Sequence, residues 1–414
     1  MVMTSYIFNS DTTRKTRMRR ASLYLLTGFM VLGAGLVVEL IVRRSNSVLD
    51  SNADLTPVEL MSILPRLSIE GRENGNQMLV QNVALFSQNP NPEQITTGYV
   101  GTSRSKVLRP SLFGLQGTML GAGNSYNEIT YGLLLQAEIL RLSFPNIKRV
   151  YFETSFLLRR PNRLILEDDH RKYLPLLSSF SSLCDKDRED SGCKPVFRML
   201  ESLKNSNDLK FQSELLAKRS SLRISALWSK SREAIKVADD PLLASLSLNG
   251  ERRSLPKTRM ADVDQTMIVT NESAKIQGIR DISTYGTGDS LFNMIALWGR
   301  DHGIQIVFFQ PPVRTDYYKF EVQYGLKEHL ADITSISGTY KIPFINLDQP
   351  GLGFMEDTSL FSDEDHMETC WGSGLLTLAI DRGFRQYESQ GDLMPRVTRE
   401  EIESDGAKMV SICH

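Results

Sequence analysis

Apolar residues follow two rhythms along this chain. Short runs rich in β-branched and aromatic residues, at 95–100, 117–121, 149–154, 304–310 and 343–347, read as five buried strands. Between and after them, apolar residues three and four apart predict helices at 126–142, 290–301, 321–336 and 374–386. Strands alternating with helices predict an α/β fold: a three-layer, doubly wound, parallel five-stranded sheet with its site at the carboxyl ends of the strands. This domain spans 95–390. One stretch, about 160–281, breaks the alternation. It is polar, rich in Ser, Lys and Arg, mostly helical in pattern and without a buried strand, and reads as an insertion after the third strand. It suits a lid, a substrate-selecting cap, a docking surface or a solvated elaboration.

The first 94 residues have a different character. Residues 21–42 form an apolar run whose only charge is Glu39, and a membrane-spanning helix needs roughly 20 such residues. A cleaved signal peptide has an apolar region of about 7–15 residues, and no A-x-A site follows here. Arg14, Lys15, Arg17, Arg19 and Arg20 precede the run, and only Arg43 and Arg44 follow it closely. Basic residues stay on the cytoplasmic side. The expected layout is therefore a cytoplasmic tail (1–20), a transmembrane anchor (21–42) and a stalk or packing segment (43–94). The main domain would lie in the periplasm or outside the cell, with a polar tail at 391–414, giving a single-pass membrane protein.

Composition narrows the chemistry. With 48 Lys and Arg against 49 Asp and Glu, no overall basic field favours nucleic acid as a partner. Among the four cysteines, Cys184 and Cys193 are close enough to form a disulfide around a small loop in an oxidising compartment, or to stand as two free thiols. Cys370 and Cys413 are too distant for sequence to pair them. With no CxxC and no Cys/His spacing of a zinc site, neither a metal nor a cofactor is expected.

Three segments carry residue types suited to acyl transfer. Gly101-Thr102-Ser103-Arg104-Ser105 follows the first strand, where glycine permits a sharp turn and leaves Ser103 exposed above the sheet edge. A serine hydroxyl needs a neighbouring base to become a nucleophile; alternatively, Ser103 caps a turn. Asp363 and His366 follow the fifth strand, three residues apart, so a helical turn projects both from one face. There a carboxylate can orient the imidazole and steady its protonated form. Asp365 is the rival orienter, but its adjacency to His366 points it elsewhere, so Asp363 is preferred. In Gly121-Ala122-Gly123-Asn124-Ser125, the turn before a Ser125/Glu128 capping box offers backbone N–H groups, and Asn124 a side-chain donor, to an oxyanion. A literal Gly288-Asp289-Ser290 follows a loop, not a buried strand, and helix capping explains its serine.

Taken together, Ser103, Gly123, Asp363 and His366 resemble the SGNH, or GDSL-like, hydrolase superfamily in order and setting, over roughly 95–386 without the insertion. The Gly-Thr-Ser-Arg start and the anchor are similar to the branch containing D-alanine transfer proteins and alginate O-acetyltransferases. The resemblance implies Ser103, Asp363 and His366 as catalytic residues and Gly123 and Asn124 at the oxyanion. It implies Arg104 beside the substrate, and an acyl donor with a polysaccharide or envelope-polymer acceptor as partners. A membrane-embedded acyltransferase would be a further partner. Thr102 replaces the Asp of the GDS signature. Glu153-Thr154-Ser155 stands where the third block places an oxyanion Asn, with Ser155 a candidate substitute. A scaffold that binds polysaccharide or an acyl exporter without catalysis is the competing expectation.

Overall fold

The computed structural model describes residues 82, 85, 86, 88–121, 132–159, 246–251 and 287–405, all within one compact unit. The basic tail, the anchor at 21–42, Gly123, Asn124, the Cys184/Cys193 pair and nearly all of the insertion lie outside them. Among the described residues, no helix is long and apolar enough to cross a membrane.

All five expected strands form, each trimmed at its ends: β1 Thr97–Val100, β2 Thr118–Leu120, β3 Arg149–Glu153, β4 Gln305–Gln310 and β5 Phe344–Asn346. They make one parallel sheet in the order β2-β1-β3-β4-β5. A parallel sheet covered on both faces needs strands that are apolar throughout rather than alternating. The chain supplies this: β2 is wholly buried, and β3 and β4 are buried beyond their first residues.

Helices cover both faces. Tyr99, Tyr151, Phe309 and Ile345 belong to the core shared with α5 (Trp371–Gln390), where the Phe384 ring stands edge-on to Tyr151 at 5.8 Å. On the other face, α1 (Gly132–Ser143) places Leu140 over Gly98. From α2 (Thr287–His302), Trp298 meets Phe152 at 6.1 Å and Phe292 meets Phe308 at 5.6 Å.

Three departures from the expected elements have physical causes. The helix expected at 321–336 is two helices, α3 (Thr315–Gln323) and α4 (Leu326–Tyr340). Gly325 separates them at φ 107°, a conformation that residues with a Cβ avoid. α3 carries no clean apolar stripe because its buried positions are Tyr317 and Glu321. Within the segment expected to be a polar tail, α6 (Arg399–Asp405) packs on α5, burying Val397 and Ile402 in the core. From the expected stalk, Leu85 and Phe86 are buried, the Phe86 ring 5.3 Å from Phe144.

The core on the α5 face reaches beyond the sheet. It includes Val107 and Leu108 from the segment after β1, and Leu360, Phe361 and Met367 from the segment after β5. Two loops far apart in sequence are thereby fastened side by side at the carboxyl ends of the strands. Replacing Leu360, whose side chain is fully buried, with Ala is expected to cost about 2–5 kcal/mol. Urea denaturation followed by circular dichroism should show a lower midpoint with an unchanged slope.

Candidate functional site

The strand order reverses between β1 and β3, and crevices at such a point, outside the carboxyl ends of the strands, are where open α/β sheets bind ligands. Here β1 runs into Gly101 and a 3-10 turn, Ser105–Val107. Gly101 does not have a positive φ, so the turn does not demand glycine through its backbone angle, as expected from sequence. The reason is close approach: a Cβ there would collide with Ser105 Oγ and lie 2.5 Å from Glu153 Oε2. Glu153 is fully buried at the end of β3. It accepts from the Thr102 backbone N–H at 2.8 Å and the Thr102 hydroxyl at 2.5 Å. That clasp joins the two strand ends at the switch point and presents Ser103, half-buried, on the rim.

His366 arrives from the other direction. Residues 361–367 form a tight loop rather than the expected helical turn, closed by an antiparallel bridge between Phe361 and Met367 and by the Ser362 N–H on the His366 carbonyl at 2.9 Å. Asp363 shapes the loop from inside. Its Oδ1 accepts from the backbone N–H groups of Asp365 and His366 at 3.0 and 2.7 Å, a local bond through which Asp favours turns. The result brings His366 Nε2 to 2.7 Å from Ser103 Oγ. Both Asp363 carboxylate oxygens lie 2.9 Å from Nδ1 on the far side of the ring.

Asp365 also reaches that nitrogen, its Oδ1 lying 2.7 Å from Nδ1. The expectation that adjacency would turn it away assumed a helix; in this loop consecutive side chains converge. Asp365 is the better shielded carboxylate, its side chain 12% exposed against 35% for Asp363. Burial opposes charge on His366, but the hydrogen bonds to Asp363 and Asp365 outweigh it and raise its pKa to about 10.

Arg104 lies inside the protein. Its side chain is 2% exposed and is surrounded by acids. Nη2 donates to Glu321 Oε1 and to Asp365 Oδ2, both at 3.2 Å, Nε to Asp365 Oδ2 at 3.4 Å and Nη1 to Ser155 Oγ at 3.3 Å. Its guanidinium carbon lies 5.7 Å from the centre of the Tyr317 ring. Ser155 is fully buried and donates to Glu153, so both Arg104 and Ser155, expected at the substrate, serve this internal network. Burial would lower the Arg104 pKa, but Glu321 and Asp365 raise it well above its ordinary value. Burial likewise works against the Asp365 carboxylate; Arg104 reverses the effect and holds it below the ordinary range. Glu321 is pushed by burial up to about 8, with Arg104 pulling it back in part, and Asp348, buried after β5, to about 7.

Sequence reasoning placed Glu153 only as a mismatch and passed over Glu321 and Asp348. An acid closing the buried run Arg149–Glu153 is the one available signal, since such a group requires a partner. Asp363, Asp365 and His366 thus form one compact group, with both carboxylates turned to the same ring nitrogen. Cys370, at the entry to α5, is disulfide-bonded to a partner outside the described residues.

Glu321, Asp348 and His366 all bind protons more tightly when folded. Across the window from their ordinary values to about 8, 7 and 10 respectively, the native state therefore holds more protons than the unfolded chain, and stability falls as pH rises. Asp365 acts with the opposite sign, but only below the ordinary carboxylate range. Unfolding free energy should decline between about pH 5 and 9 by on the order of a few kcal/mol. Urea midpoints measured across that range should show Glu321→Gln flattening the lower part of the slope.

No family model, curated protein or solved structure matches this chain.

Proposed function

We propose that the chain is a serine acyl-ester enzyme of SGNH type, a hydrolase or O-acyltransferase, anchored in the membrane and acting outside the cytoplasm on an envelope or surface polysaccharide. The observation that carries this reading is the line Ser103 Oγ, His366 Nε2, His366 Nδ1, carboxylate, with hydrogen-bond distances at each step. A base must lie within about 2.6–3.2 Å of the proton it takes. The strand order, shared with flavodoxin-like doubly wound sheets, and the position of both loops at the carboxyl ends support an SGNH arrangement. The Cys370 disulfide suits an oxidising compartment.

In this mechanism Ser103 Oγ attacks the acyl carbonyl while His366 Nε2 takes the hydroxyl proton. The carboxylates at Nδ1 steady the imidazolium. The Ser103 N–H, with donors from Gly123 and Asn124, would hold the oxyanion. Collapse expels the alcohol or thiol, which leaves with the proton from Nε2, and the acyl group remains on Ser103. Water or a sugar hydroxyl then attacks as His366 takes its proton; the ester to Ser103 breaks, and the proton returns to Oγ.

A second reading has an observation of its own. The polar side chains of Glu153, Thr154 and Ser155 are engaged inside the protein, so the third block offers no side-chain oxyanion donor. A scaffold that binds polysaccharide or an acyl exporter without turnover would tolerate that.

A fluorophosphonate probe should label the full-length chain on Ser103. Labelling should vanish in Ser103→Ala and fall at least about 100-fold in His366→Ala. Because the neutral imidazole is the base and its pKa is raised to about 10, the labelling rate should climb with pH from neutrality towards that value. A wild-type chain that stays unlabelled throughout favours the non-catalytic scaffold.

A further inference from the structure

We propose that Asp365, rather than the better exposed Asp363, is the carboxylate that chiefly governs His366, and that Arg104 is a positioning residue that clamps Asp365 in place. As a catalytic role this rests on the acyl-transfer reading above; as a statement about the proton affinity of His366 it stands alone.

The two carboxylates at Nδ1 are differently employed. Asp363 Oδ1 already accepts two backbone N–H groups that fold its own loop, and the side chain is 35% exposed. Its attraction for the ring is shared with the backbone and weakened by water. Asp365 divides its oxygens between two cations: Oδ1 faces Nδ1 at 2.7 Å and Oδ2 receives Arg104 Nε and Nη2. The Arg104 contact is a forked, charge-assisted one, which fixes direction as well as distance. Behind it, Glu321 holds the same Nη2 at 3.2 Å, and the Ser155 hydroxyl takes Nη1.

The clamp therefore bridges three elements. Arg104 comes from the turn that carries Ser103, Glu321 from α3 and Asp365 from the loop that carries His366. Arg104 is adjacent to the nucleophile and Asp365 adjacent to the base, so one ion pair sets the spacing of the two reacting groups. The charged groups that face this pair are His366 and Asp363 in the same loop, Glu153 at the end of β3, Glu321 on α3 and Asp348 after β5, while Arg314 faces Asp363 from the start of α3.

The test reads the ring and the nucleophile separately in the full-length chain. His366 is titrated by NMR after carbon-13 labelling of histidine, and Ser103 is followed by the pH profile of fluorophosphonate labelling. Asp365→Asn should lower the proton affinity of His366 at least about tenfold, and Asp363→Asn should lower it less. Arg104→Lys keeps the positive charge but loses the fork. It should release Asp365, lower the proton affinity of His366 in the same direction and cut the high-pH labelling rate by about tenfold or more.

A larger change in Asp363→Asn than in Asp365→Asn overturns the assignment. An Arg104→Lys protein in which His366 titrates as in the wild type overturns the clamp. Should Asp365→Asn not fold, the comparison of Arg104→Lys with Asp363→Asn decides. If the titrations follow the expected order while wild-type Ser103 is never labelled, the acyl-transfer reading fails and the positioning role remains.

Discussion

Arg104 is a cation almost wholly withdrawn from water, and the arrangement of the rim follows from what must surround it. A buried guanidinium is tolerated only when its hydrogen-bond directions end on acceptors and its charge is met by acids. Glu321, Asp365 and Ser155 supply the acceptors, and Glu153 and Asp348 add to the negative field. They come from four stretches of chain, Glu153 and Ser155 sharing one. The β1 turn, the end of β3, α3, the β5 exit and the 361–367 loop are therefore bound by mutual electrostatic need as well as by the apolar core.

That arrangement separates two kinds of work. Packing of Leu360, Phe361 and Met367 against Val107 and Leu108 brings the loops together but is indifferent to rotation of a side chain. The ionic and hydrogen-bonded contacts supply direction. Thr102 on Glu153 sets the serine turn, and the Asp363 oxygen inside its own loop sets the histidine backbone. Within the same cluster Glu321, Asp348 and His366 hold unusual proton affinities, because surroundings rich in acid and poor in solvent favour protonated carboxyls and a charged imidazole.

The sheet was legible in the sequence because both of its faces are buried, which writes its strands as short, largely apolar runs without alternation. The meeting of Ser103 with Asp363 and His366 was legible because all three follow strand exits, which composition marks. What escaped reading was the network behind them. Glu321 lies in α3, which lacks an apolar rhythm, and Asp365 was discounted on helical geometry in a segment that is a bridged loop. The partnership of Arg104 with residues 217 and 261 positions away leaves no local trace, since a salt bridge imposes no periodicity. Gly101 shows a subtler limit: the residue was recognised, but its reason is the side chain of Glu153, which only the fold brings near.

The contact between Ser103 and His366 spans 263 residues of chain. Parallel sheets close through long connections, and contacts of such separation form late and slowly. A nascent chain in which β1 has emerged but residue 366 has not holds the hydroxyl without its imidazole, and its buried guanidinium position without Asp365. The hydrogen bond between Ser103 and His366 can therefore close only after the whole stretch from β1 to the 361–367 loop has been made.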